Sequence, residues 1–112
     1  MKRYCLTLDL KNDAELISEY EAYHKDFRPE IKDSITVSGI INMEIYRLDN
    51  RLFMIMETDD TFTFEKKKIL DEQNEKVQQW EALMWKFQQP IAGSVSGEKW
   101  RVMKQIFTLN PD

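Results

Sequence analysis

One histidine and one cysteine are all that this chain of 112 residues offers to metal chemistry. A zinc site needs three or four such ligands, so the sequence argues against a bound metal. Glycine is as scarce. Gly39, Gly93 and Gly97 lie scattered and make neither a P-loop nor a dinucleotide fingerprint. No cofactor is implied. Cys5, alone, cannot staple the fold, which points to a reducing compartment and a cytoplasmic protein. No apolar run approaches the roughly 18 residues of a membrane span, and the N-terminus lacks a signal-type core. An excess of positive charge is missing too. Sixteen basic and 20 acidic residues leave a net charge of −4, against the basic stripe that nucleic-acid phosphates require.

What is present is enough for an ordered globule: 42% of residues are hydrophobic and 12% aromatic. The length sets one domain over residues 1–112. RYCLTLDL, residues 3–10, alternates polar and apolar and predicts a strand. Asn12 or Asp13 then caps a helix whose inner face is Ile17, Tyr20, His24, Phe27 and Ile31, spaced by three and four. Pro29 divides that helix and starts its second half, and Ser38-Gly39 ends it. IINMEIYRL (40–48) and RLFMIMET (51–58) predict a hairpin across Asp49-Asn50. From Phe64 the helical period returns, is interrupted over 71–74, and continues through Val77, Trp80, Met84 and Phe87 to a stop at Pro90. Residues 91–99 read as a loop and 100–109 as a last strand.

The order strand, helix, strand, strand, helix, strand is the split βαβ arrangement. The expected fold is α+β, ferredoxin-like βαββαβ, with one antiparallel four-stranded sheet and both helices on one face. Met43, Ile45, Leu52, Met54, Met56, Val102 and Met103 are more apolar strand residues than one helix layer is expected to cover. A homodimer packed sheet to sheet, a dimeric α/β barrel, would bury the surplus.

His24 draws attention because it shares a helical face with apolar neighbours. The plain reading is a half-buried histidine satisfied locally. The functional reading rests on Tyr20, one turn earlier, which lets a phenol and an imidazole line one pocket. An imidazole exchanges protons near neutrality. Trp80 lies on the inner stripe of the second helical segment, where it serves the core or offers a flat wall to the apolar side of a sugar. Glu44 and Glu57 would support His24 only by pointing inward. A pairing of Cys5 with His24 is not suggested by the sequence.

Taken in order and spacing, these residues resemble the L-rhamnose mutarotase family over nearly the whole chain. The markers are Tyr20 with His24, then Pro29-Glu30, then Asn42 with Ile45-Tyr46, then Leu52-Phe53, then Gln79-Trp80. The stretches EYEAYH, MEIYR and LFMIMET are similar to a branch that acts on L-fucose. The resemblance implies a small cofactor-free dimer that interconverts sugar anomers, so the expected partners are a monosaccharide and a second copy, with no nucleic acid and no membrane. It implies that His24 is the acid–base group and that Tyr20 binds the sugar. Trp80 matches the first of an aromatic pair, Glu81 stands in place of the second, Met43 in place of a tyrosine, and Arg28 in place of a tryptophan. These four sit in the sugar-contacting set, and the differences favour a 6-deoxy sugar other than L-rhamnose. Tyr46 and Arg28 are further polar contacts if the strand phase and loop bring them inward. Two rivals carry different expectations. A cofactor-free monooxygenase of the same shape needs a larger, mainly apolar pocket. A non-catalytic ligand-sensing domain would bind without accelerating anything.

Overall fold

The computed structural model describes residues 1–110. Strand β1 (Lys2–Leu10) is followed by helices α1 (Ala14–Lys25) and α2 (Pro29–Val37), by β2 (Ile40–Leu48) and β3 (Arg51–Thr58), and by α3 (Phe64–Glu72) and α4 (Glu75–Trp85). Two short strands, β4 (Gln88–Gln89) and β5 (Arg101–Val102), complete the sheet. All pairings are antiparallel, in the order β2-β3-β1-β4, with β5 also on β1. This is the expected ferredoxin-like frame.

Local chemistry sets the boundaries. The Asp13 carboxylate accepts from the backbone N–H groups of Glu15 and Leu16, which caps α1. Pro29 opens α2 at its first turn, where a missing donor costs nothing. Gly39 follows at φ 102°, a conformation without penalty only for glycine, and a Cβ there would stand 2.9 Å from the Asp59 carboxylate. Asn74 ends the interruption between α3 and α4 by capping α4 through the N–H groups of Lys76 and Val77.

Alternation divides the sheet into two faces. Leu6, Leu8 and Leu10 of β1 and Leu52, Met54 and Met56 of β3 are buried under the helices. They pack with Tyr20, Ile31, Val77, Trp80, Met84 and Phe87 at one end, and with Ile40 and Phe62 at the other. The opposite face carries Cys5, Phe53, Ile55, Glu44 and Tyr46 between the ion pairs Arg51–Asp9 and Arg3–Glu57.

Three expectations are corrected here. Met43, Ile45, Leu52, Met54 and Met56 are not surplus on the open face, because their register places them on the helix face. The second helix does not reach Pro90. It ends at Trp85, and Gln88–Gln89 pair with Leu10 and Asp9 as an extra strand. The last strand is two residues long rather than ten. Met103 N–H still donates to the Cys5 carbonyl at 2.7 Å, but Ile106, Phe107 and Leu109 are 75–90% exposed, with no layer among the described residues to cover them.

Candidate functional site

His24 sits near the end of α1, on the face turned to α4 and the sheet. Its Nδ1 lies 2.8 Å from the Tyr20 carbonyl oxygen. A carbonyl only accepts, so Nδ1 carries the proton and Nε2 keeps its lone pair. Burial lowers the proton affinity of the ring below the ordinary imidazole value, against a smaller opposing pull from the Tyr20 carbonyl. His24 is therefore neutral near pH 7, with one free basic nitrogen.

Aromatic rings hold it there. The Tyr20 ring centroid is 4.3 Å away, Phe27 stacks at 5.8 Å and Trp80 meets it edge-on at 5.6 Å. Tyr20 is buried, and burial is the main cause that pushes its phenol up to about 12. The Gln88 side chain pulls weakly the other way, and the Glu81 carboxylate adds to the rise. The phenol is thus a standing proton donor at physiological pH.

These groups border a cleft of about 290 Å³ between helices and sheet. Met43, Ile45, Met54 and Met56 form its sheet side. Phe27, Ile31, Trp80 and Met84 form its helix side. Two ion pairs stand on its border: Lys99 with Glu81 and Lys67 with Asp71, each at 2.5 Å. Lys99 is held three ways. It donates to the Glu81 carboxylate and backbone carbonyl and lies 4.7 Å from the centre of the Trp85 ring. The lining is thus apolar with a few placed polar groups, the usual make-up of a small-molecule site. Among the described residues, no group of three or more His, Cys, Asp or Glu is placed to hold a metal ion.

The structure brings together His24, Tyr20, Trp80, Met43 and Glu81 around this cleft. It does not bring Tyr46 or Arg28 to it. Tyr46 lies on the open sheet face, 52% exposed, its hydroxyl donating to Glu44 at 3.0 Å. The cause is an irregularity in β2 between Ile40 and Asn42, which shifts the phase of the strand. Tyr46 borders a second, more open hollow of about 470 Å³ on the outer flank of His24, beside Arg47. Arg28 covers Trp80 instead, its guanidinium 5.5 Å from the ring centre. Glu44 and Glu57 also face away from His24, and Cys5 is on the far side of the sheet from it.

Sequence reasoning missed Lys99, Trp100, Gln88, Lys67 and Asp71, all of which line the cleft. Lys67 and Asp71 had a signal, an i,i+4 pair on one helix face. Lys99 ends the expected loop and Trp100 begins the expected last strand, and no period there aims either inward.

Known proteins resemble this chain over nearly its whole length. The family model described as L-rhamnose mutarotase matches residues 3–109. An L-fucose mutarotase of Xanthomonas campestris pv. campestris is 41% identical, over 98% of this chain and 90% of that protein. The crystal structure of an L-rhamnose mutarotase from Formosa agariphila superposes with a TM-score of 0.70 at 16% identity, covering 98% of this chain and all of that one. A dimeric ferredoxin-like protein from an uncultured marine organism superposes at 0.53 and 14% identity, over 96% of this chain and 91% of that one.

Proposed function

This chain belongs to the L-rhamnose mutarotase family and is a carbohydrate isomerase; we propose that its preferred substrate is L-fucose and that His24 and Tyr20 carry the proton transfers. The sugar assignment is supported by the 41% identity to an L-fucose mutarotase across almost the full length of both chains.

The observation that carries the mechanism is the Nδ1 contact of His24 with the Tyr20 carbonyl, which leaves Nε2 basic. Anomers interconvert by ring opening and reclosure. Nε2 takes the proton of the anomeric hydroxyl while the bond from C1 to the ring oxygen breaks. The ring oxygen takes a proton from the Tyr20 phenol, and C1 becomes an aldehyde carbon. A turn about the C1–C2 bond presents the other face. Both protons then return as the ring closes on the opposite anomer. Every proton is restored, so the protein needs no cofactor for this cycle. General acid–base help of this kind is worth about 10²- to 10⁴-fold in rate. Trp80 offers its ring to the apolar side of the sugar, and Met43 leaves room where a bulkier ring would stand. Glu81 is engaged by Lys99, so the pair presents both a donor and an acceptor to sugar hydroxyls.

The monooxygenase and ligand-sensing readings are less well supported. The cleft is small and bordered by two ion pairs, unlike a large apolar chamber. Saturation-transfer NMR on L-fucose and L-rhamnose decides the matter. Protein-dependent exchange between anomers is expected with both sugars and should be faster with L-fucose. Faster exchange with L-rhamnose would overturn the sugar assignment, and absence of any enhancement would overturn the mechanism.

The reading includes a homodimer and a cytoplasmic location. Phe53 and Ile55 on the open sheet face and the exposed Ile106, Phe107 and Leu109 support a partner copy. Burying them would stabilise the pair at roughly 25 cal/mol per Å² of apolar surface. Light scattering should return twice the chain mass, and a monomer at micromolar concentration would contradict it.

A further inference from the structure

Three polar residues in the described part of the chain are buried: Ser38, Thr58 and Gln88. Ser38 Oγ donates to the Ile35 carbonyl at 2.6 Å, and Thr58 Oγ1 donates to the Asp59 carbonyl at 3.0 Å. Gln88 differs from both. It is 5% exposed, its Oε1 is buried with no hydrogen-bond partner, and it lines the cleft that holds Tyr20 and His24. A buried amide oxygen without a donor is costly and rare, so such a group needs an explanation.

The backbone shows that this is a fixed position. Gln88 opposes Leu10 across the two-residue strand β4, and Lys11 N–H donates to the Phe87 carbonyl at 2.8 Å. The neighbouring Phe87 is fully buried. The pairing fixes the backbone from which the buried amide reaches the cleft. Gln88 and Tyr20 both border the one cleft between helices and sheet. A planar amide beside a phenol offers a carbonyl acceptor and two N–H donors to a neighbouring hydroxyl.

We propose that Gln88 is a sugar-binding residue whose side-chain amide receives one hydroxyl of the substrate beside Tyr20. The proposal rests on the mutarotase reading for its ligand class. An unpaired amide that gains a partner only from a hydroxylated ligand gives discrimination, because a sugar lacking that hydroxyl leaves the amide unpaired.

The test uses Gln88→Met, which keeps length and removes hydrogen bonding. Exchange rates are measured against concentration for L-fucose and its 2-, 3- and 4-deoxy analogues. For L-fucose, KM should rise about 10-fold or more while kcat stays within about 3-fold, the mark of lost binding rather than lost chemistry. One deoxy analogue should be poor for the wild type, yet no worse than L-fucose for the variant. An unchanged KM, or a loss equal for every analogue, overturns the proposal. The wild-type protein supplies a second readout. The Gln88 side-chain amide resonance should shift saturably with L-fucose and not with glycerol. A resonance that ignores L-fucose overturns the proposal even if the variant fails to fold. Wild-type protein without exchange on any sugar would instead strike the mutarotase reading, and the titration would still decide Gln88.

Discussion

The two faces of the sheet carry polar groups of opposite character. On the open face they satisfy one another: Arg51 makes two bonds to Asp9, Tyr46 donates to Glu44, and Arg3 meets Glu57. Under the helices, beside the paired Lys99 and Lys67, two polar atoms are left available: Nε2 of His24 and Oε1 of Gln88. Paired charges in water contribute little and do no chemistry. Unpaired groups in a partly dry cleft are costly to hold and are what a hydroxylated substrate can engage. The difference shows where an acid–base catalyst is to be sought on this frame. It is sought where hydrogen-bonding capacity is left over.

The sharpest break of that contrast is His24→Ala. Anomer exchange should fall by about 10²- to 10⁴-fold, with the circular dichroism spectrum retained. Exchange within a few-fold of wild type would remove the imidazole from the mechanism. Leu8→Ala tests the packing that shapes the covered face. Leu8 is fully buried, so the chain should lose about 2–5 kcal/mol of stability in urea titration. A loss below about 1 kcal/mol would mean that the layer under the helices is loosely packed. Tyr20→Phe removes one hydroxyl from the cleft and keeps the ring. A fall of about 10²-fold in exchange is expected, the low end of the range for His24, because the proton donor to the ring oxygen is lost and water must replace it. No fall would reduce Tyr20 to a packing role. Arg51→Ala, on the open face, should leave the exchange rate unchanged and barely move the melting temperature, since its partner Asp9 can turn to water. A large effect on exchange would erase the distinction between the faces.

Much of the covered face was legible in the sequence because periodicity reports burial. Ile17, Tyr20, His24, Phe27 and Ile31 recur at helical spacing, and all of them pack against the core or line the cleft. Asp13, Pro29 and Gly39 mark boundaries by chemistry that any chain must obey. The open face was harder. Strand alternation says that Tyr46 and Ile45 oppose one another, but the irregularity at Ile40–Asn42 decides which points inward, and no residue type announces it. The segment 100–109 is apolar enough for a strand, yet apolarity alone does not say what will cover it. Arg101 and Val102 pair with β1, and Met103 adds one backbone bond to it. The cleft was half legible. Tyr20, His24 and Trp80 stand on regular helices, whereas Gln88 and Lys99 enter from short connections whose direction is fixed only by tertiary contacts.

With one histidine in the chain, its protonation is open to unambiguous measurement. Burial makes folded His24 bind its proton at lower pH than the unfolded chain, whose value is near 6.5. Unfolding is thus favoured as pH falls through that window, and exchange declines on the acidic side as the ring gains its second proton. The most direct test is a nitrogen-15 NMR titration of the imidazole, with and without L-fucose. At pH 7 the spectrum should show a protonated Nδ1 and a bare Nε2, a midpoint below 6.5, and a shift of Nε2 when sugar is added. A bare Nδ1, or a midpoint above 6.5 with no response to sugar, would contradict a catalytic imidazole in this cleft.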